Sequence, residues 1–386
     1  MPSDPSQGWA IVNALVMDEK GGFARRRSVG ISAGLFTEFD EEPPGPDVLD
    51  ARGLWLIPGV YDCHTHISWN DFHQEDREKR DPEERAQLTT ASVAATLRGG
   101  ITSARDAGGA DAGLRDAIAG GSLPGPRLQI AVDMIGPAQA GSVAAIRAAA
   151  QRALDNGAQW IKLMATAGVA TPGDAVLASN FSREEIRAAV EVADRGGARV
   201  MVHTWGGNSA DWAVEAGAAS LEHGIYLTQE QVSRTADAGI TLVPTLTIYR
   251  YVRDMVLDGR LGGIPWPRIV DVIEAHELVV RRARDSGLPL AIGSDFTVPW
   301  QHGTNLVEVG TLQRAGLTSG EALLAATSNG ARLLRDGGSG IVAAGHRADA
   351  VLLCGDPSDP ATFENPASVA AVVKDGILVH AEGLSE

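Results

Sequence analysis

The sequence predicts an α/β protein built as a (β/α)8 TIM barrel, with a small flanking β-sandwich built from both chain termini. Three observations carry that prediction. Between Trp55 and Asp295 lie eight short apolar runs, each followed by a helix-like stretch, which is the count such a barrel needs. Both chain ends instead alternate with the period of two that marks half-buried strands. No Gly-rich dinucleotide or P-loop fingerprint opens any helix, which disfavours the alternative, a doubly wound open sheet.

Taken in order, residues 8–54 read as strands through WAIVNALVMD and SVGISAGLFTEF and break at the turn-rich stretch Asp40 to Asp47. The barrel runs are LWLIPGVYDC, ITSARDA from Ile101, RLQIAVDMIG from Arg127, WIKLMA from Trp160, RVMVHT from Arg199, SLEHG from Ser220, ITLVPTL from Ile240 and LPLAIGSD from Leu288. Of the helices between them, FSREEIRAAVEVADRGG from Phe181 opens on an S-x-x-E capping box at Ser182 and Glu185 and stops at Gly196-Gly197. LTSGEALLAATSNGARLL from Leu317 reads as one capped helix. Residues 340–382 return to strand alternation, with Asp375-Gly376 as a hairpin turn. The expected division is residues 1–54 and 340–386 for the sandwich and 55–339 for the barrel.

Composition removes several classes of function. The 386 residues suffice for one large domain and a small one. A formal charge of -16 argues against nucleic acid and anionic membrane, both of which need basic patches. No apolar run reaches the roughly 18 residues that span a bilayer, and Met1 to Gly8 lacks the regions of a signal peptide. Cys63 and Cys354 have no C-x-x-C spacing, so the expectation is a reduced, cytoplasmic protein with Cys63 as a buried thiol.

The chemistry is concentrated at strand ends. His64 and His66 close an apolar strand two positions apart and therefore point to one side of it. In a barrel of this type the C-terminal strand ends build the active site. Those positions supply His64 and His66 from strand one, Lys162 from strand four, His203 from strand five, His223 from strand six and Asp295 from strand eight. Neutral imidazole is the commonest ligand for a transition metal. Lys162 is the odd member, because an ammonium has no lone pair to give. Among the apolar neighbours Trp160, Ile161, Leu163 and Met164 it is under pressure to lose its charge, and reaction with CO2 would turn it into an oxygen ligand.

This set, with P-G-x-x-D before H-x-H, resembles the amidohydrolase superfamily with a binuclear metal centre. The segments ITSARDAGG, WIKLMATAGVATPGD, SLEHGIYLTQEQV, LVPTL, LAIGSD and GHRADAVLL are similar to its imidazolonepropionase and Xaa-Pro dipeptidase-like branch, over about Trp9 to Val379. The resemblance implies two divalent ions, zinc first, with Mn, Co or Fe as alternatives. His64, His66 and Asp295 would hold one ion, His203 and His223 the other, and N6-carboxylated Lys162 would bridge them with a hydroxide. Asp295 would be the catalytic residue that moves the proton from the attacking hydroxide to the leaving amine.

What the resemblance implies is hydrolysis of a C–N amide bond in a small molecule such as an N-acyl amino acid or dipeptide, by a homo-oligomeric enzyme. Cyclic-amide opening, deamination and metal-dependent decarboxylation are the alternatives on the same scaffold, and a metal-binding scaffold without catalysis is the non-enzymatic one. For substrate contact, Tyr226 in HGIY resembles a tyrosine that grips a substrate carboxylate or carbonyl in dipeptidase-like relatives. Trp69, Trp205 and Trp300 follow strand ends and suggest an aromatic-walled pocket. The charged stretch Asp71 to Arg85 resembles a lid, in which His73 and Arg77 face either substrate or solvent. Strand three runs through MIGPAQAGSV without the histidine that relatives carry after it, which points away from dipeptides and toward a different amide. Arg105 and Asp106 are expected to form a structural pair, and His276 and His302 to be ordinary helix and loop histidines.

Overall fold

The computed structural model describes residues 8–26, 28–39, 45, 47–169 and 175–382. Most of the expected turn from Asp40 to Asp47 lies outside those residues. It is a mixed α/β protein with two groups of sheets, one parallel and one largely antiparallel.

The parallel strands carry the strand-end residues. Val60–Thr65, Ile101–Asp106 and Arg127–Ile130 form one sheet, in that spatial order. Met134–Ile135, Trp160–Met164, Arg199–Thr204, Ser220–His223 and Thr241–Val243 form a second. Hydrogen bonds cross both gaps between the two sheets. Gln159 N donates to Ile130 O at 2.9 Å across one, and Cys63 N to Ile292 O at 2.9 Å across the other. The eighth run, LPLAIGSD, is not a regular strand. It makes a single parallel bridge, Leu242 to Leu290, and is held by hydrogen bonds on either side. Apolar side chains such as Ile101, Ile161, Val200, Leu221 and Leu242 alternate outward to a shared core with the helices.

The expected single run LWLIPGVYDC is two strands. Trp55–Pro58 pairs with Leu15–Met17 and Ala350–Leu353 in the six-stranded antiparallel-rich sheet, and only Val60–Thr65 joins the parallel layer. Gly59 sits between them because a Cβ there would lie 2.2 Å from Thr102 Oγ1. The six-stranded sheet also takes Val369–Lys374 and Ile377–Ala381 from the far end of the chain. A four-stranded sheet of Leu35–Phe39, Ser28–Ser32, Trp9–Val12 and Asp47–Asp50 packs with it around Trp9, Ile11, Phe36, Leu352 and Val373. Trp9 Nε1 donates to Gly376 O at 2.9 Å, tying the first strand to the last hairpin.

The helices begin where the sequence places them. Ser182 accepts from Glu185 N, and Glu185 returns a bond to Ser182 N, completing the box that opens Arg183–Arg195. The expected long helix after Thr318 is instead broken into Ser319–Ala326 and Ser328–Leu333 at Thr327, whose backbone (φ -123°, ψ -93°) leaves the helical region. The break lets Gly330 press against Tyr61 with no room for a Cβ, which would come within 2.5 Å of the tyrosine. No helix among the described residues is long and apolar enough to cross a membrane.

Candidate metal centre

Four strands and the irregular eighth segment bring six strand-end residues to one cavity. His64, His66, Lys162, His203, His223 and Asp295 all line it. Lys162 Nζ lies 3.2 Å from His64 Nε2, and Asp295 Oδ1 lies 3.4 Å from Nε2 of both His64 and His66. One ligand atom each from His64, His223 and Asp295 lies within 4.8 Å of the others. The His203 and His223 rings stand 4.4 Å apart.

Each imidazole is aimed by its other nitrogen. His64 Nδ1 donates to Glu222 Oε2 at 2.6 Å, and His66 Nδ1 donates to Gly108 O at 2.9 Å, leaving both Nε2 lone pairs toward the cavity. His203 is reversed. Its Nε2 donates to Ala167 O at 3.1 Å, so its Nδ1 is the free nitrogen. His223 Nδ1 is bonded to Thr245 Oγ1 at 2.7 Å. These tautomers follow from the bonding partners.

The backbone is bent to make the meeting possible. His223, Thr245 and Asp295 adopt left-handed conformations, with φ of 69°, 59° and 54°. Non-glycine residues rarely occupy that region, and each such residue costs on the order of 1–3 kcal/mol that the surroundings must offset. Asp62 supplies part of the offset. Buried beside the strand-end histidines, it accepts from His64 N, Ser294 N, Ser294 Oγ and Asn305 Nδ2 at 2.6–3.2 Å, fastening strand one to the turn that presents Asp295. Thr245 is freed for His223 because Glu308 caps the helix Leu246–Leu257 in its place, accepting from Leu246 N at 2.7 Å and Thr247 N at 2.9 Å.

Charge is arranged with the same economy. Glu222 is completely buried; burial pushes its carboxyl up, but Arg105 and then His64 hold it down at about 2. Arg105 reaches it with Nη2 at 2.9 and 3.0 Å, donates from Nε to Cys63 O and lies 4.4 Å over Trp160. The expected Arg105–Asp106 pair does not form, because neighbours in a strand face opposite sides. Asp106 instead accepts from the backbone of Ile67, Gly108 and Ala110. Burial depresses His203 to about 3 and His223 well below its ordinary value, so both rings are neutral. Burial also pulls Lys162 down to about 8, against Glu222 and Asp295. Burial raises the Asp295 carboxyl, but His64 and His66 outweigh it and hold the group well below the usual range.

Imidazoles aimed by their outer nitrogens, an anionic carboxylate and a lysine whose burial favours its neutral form line one cavity, and together they form a donor set suited to divalent cations. Residues 55–379 match the amidohydrolase family. The chain belongs to the amidohydrolase family. It is 27% identical over 373 residues to an ochratoxinase of Aspergillus niger, a match covering 85% of this chain and 76% of that protein. It is 26% identical over 403 aligned residues to an imidazolonepropionase of Anaeromyxobacter dehalogenans, covering 92% and 89%. A crystal structure of a Xaa-Pro dipeptidase with bound methionine superposes with a TM-score of 0.86 at 26% identity, covering 96% of this chain and 99% of that one. This amidohydrolase is accordingly an enzyme acting on carbon–nitrogen bonds, by metal-dependent hydrolysis of an amide.

The residues expected to touch substrate are scattered. Trp69 lines the cavity, stacked at 3.9 Å on His66, and Gly109 makes room for it, since a Cβ there would lie 2.6 Å from the indole nitrogen. Trp205 is fully buried among Ile225, Ile248, Tyr249 and Val272, behind two residues of the cavity wall and not itself lining it. Trp300 is 53% exposed, beside Tyr251. His73 is exposed at the start of the short helix Gln74–Lys79. Tyr226 gives its hydroxyl to Asp271 at 2.5 Å and does not reach the cavity. Tyr249, unremarkable in the sequence, lines it instead, with burial and the Asp295 charge holding its phenol well above the ordinary value. His276 lies in the helix Trp266–Asp285, donates to His223 O at 3.0 Å and backs Tyr249. His302, in a loop, meets Thr96 at 3.3 Å.

Proposed function

We propose that the parallel strands and the eighth segment act as a closed (β/α)8 barrel whose six strand-end residues hold two divalent ions, zinc by preference. Nitrogen-rich ligation favours zinc among the common divalent metals. The observation that carries the reading is the convergence of the His64, His66 and His223 nitrogens, each fixed from behind, on Asp295, with Lys162 against His64 and His203 lining the same cavity. His64 and His66 with Asp295 would hold one ion and His203 and His223 the other. Lys162 would add a carboxylate ligand once its neutral amine forms an N–C bond to CO2 and gives up an N–H proton to solvent, a reaction assisted by the burial that lowers its pKa.

Bound ions of this kind polarise a carbonyl and acidify water toward neutrality. The chain's own residues then have definite tasks. Asp295, within 3.4 Å of the His64 and His66 nitrogens, accepts the proton of the attacking water as oxygen bonds to the carbonyl carbon. As the C–N bond breaks, Asp295 passes that proton to the departing nitrogen, so the products are a carboxylic acid and an amine. Glu222 and Thr245 hold two imidazoles in register throughout. The ochratoxinase similarity supports an acyl-amide substrate for this chain as well.

Asp295→Asn keeps the shape of the site and removes the base. The expected result is a loss of turnover by roughly three orders of magnitude with metal still bound. Turnover within a few fold of wild type would remove Asp295 from the proton transfer. Intact-mass measurement tests the lysine, which should carry the mass of one CO2 at residue 162 in metal-loaded protein and lose it on acidification.

A further inference from the structure

The cavity that ends on the metal ligands has a volume of about 510 Å³ and divides by chemistry. Its floor is the ligand set, and its walls are mainly Trp69, Phe72, Met134, Met164, Val169 and Val252. Among the described residues that line it, Lys162 is the only lysine or arginine, and it belongs to the floor.

Two groups that could grip an anion are engaged elsewhere, and the polar groups of the wall itself, the Tyr249 phenol and the Thr297 hydroxyl, carry no charge. The Arg77 guanidinium lies 3.6 Å over Trp69 and donates to the carbonyls of Asp71 and Phe72 at 3.2 and 3.3 Å. The Tyr226 hydroxyl is given to Asp271, a carboxylate that would repel a second one. A substrate carboxylate set against these walls would lose its hydration and meet, among the described lining residues above the floor, hydroxyl groups but no counter-charge. One drawn down to the floor would take the place of the scissile carbonyl. An uncharged aromatic or branched group loses nothing on entry and gains contact with the indole, the phenyl ring and two thioethers.

We infer that the substrate is a neutral, lipophilic amide, with an aromatic-sized apolar group seated among Trp69, Phe72, Met134 and Val169 and no carboxylate on either side of the scissile bond. The inference rests on the amide hydrolysis proposed above and narrows it, since free dipeptides and N-acyl amino acids become poor substrates.

Two measurements on the metal-loaded protein test it. In the first, N-(2-naphthoyl)isopentylamine is compared with N-(2-naphthoyl)leucine, the same molecule with a carboxylate added. The neutral amide should have a kcat/KM higher by about tenfold or more, and Val169→Lys should narrow or reverse that ratio. Equal or better hydrolysis of the leucine compound by the wild type would overturn the inference while leaving amide hydrolysis intact. The second needs no turnover. Prodan, a neutral naphthyl ketone, should bind with a blue-shifted emission that Val169→Lys weakens by about tenfold, whereas a toluidinyl-naphthalene sulfonate should bind the wild type weakly and the variant better. Tighter binding of the sulfonate to the wild type than to Val169→Lys would overturn the inference even if no amide were cleaved.

Discussion

Two arginine–carboxylate clusters in this molecule use the same chemistry for different ends. Arg127 joins Asp349 at 3.0 Å and Asp375 at 2.5 Å, where the strand Arg127–Ile130 meets the C-terminal strands. It is 30% exposed, and the bonds of its carboxylates among the described residues do not include the cavity histidines or Lys162. Arg105 joins both oxygens of Glu222 with both groups fully buried, and Oε2 of Glu222 also holds His64. The difference lies in the third partner. The first cluster ends on backbone and solvent and fastens two layers; the second ends on an imidazole and fixes which nitrogen faces the cavity.

The comparison breaks most sharply under substitution. Glu222→Gln keeps one hydrogen bond but removes the charge that faces both Arg105 and His64. It should weaken metal binding by about 10–100-fold, measured by competition with a chelator, with a matching loss of turnover. Arg127→Gln should instead lower stability by about 1–3 kcal/mol, because buried Asp349 loses its partner, and leave metal affinity unchanged. If Glu222→Gln melted lower yet held metal as tightly as wild type, the two clusters would be equivalent and both merely structural.

A smaller effect concerns Glu308, a third buried carboxylate with no cation bonded to it. Burial raises its pKa to about 7, against the helping bonds from Thr247 and Leu246. A carboxyl with a folded pKa above its unfolded value near 4.3 binds more protons folded than unfolded between those pH values. Stability should therefore fall as pH rises from about 4.3 to 7 and level off above. Glu308→Gln should flatten that slope whatever its overall offset, as read from thermal melts across the range. An unchanged slope would assign the pH dependence to other groups.

Much of the site could be read from the sequence because it sits on strand ends. Two histidines at i and i+2 closing an apolar run, and single histidines or an aspartate closing others, are visible without any tertiary information. What stayed hidden depends on contacts between distant segments. Glu222 looks like an ordinary residue one place before His223, and only folding puts its carboxylate against His64, 158 positions away. Thr245 and Glu308 are tied to the centre through a helix cap supplied from another helix, for which no local pattern exists. The tryptophans mark the complementary failure. Position after a strand end says that Trp69, Trp205 and Trp300 are near the mouth, but not which way each side chain turns, and only Trp69 lines the cavity. The irregular eighth segment shows the same limit for the fold. Its apolar run is legible, whereas its single bridge and the left-handed turn at Asp295 are set by Asp62 and the neighbouring strand.

The central claim is that Asp295 and the four histidines work by holding divalent ions for amide hydrolysis. Its most direct test strips the protein with a chelator, removes the chelator and titrates zinc back while following hydrolysis of a neutral naphthoyl amide. Turnover should vanish on stripping, fall below about one hundredth of its starting rate, and return in proportion to added metal until about two ions per chain are bound. Undiminished hydrolysis by the metal-free protein would contradict the account.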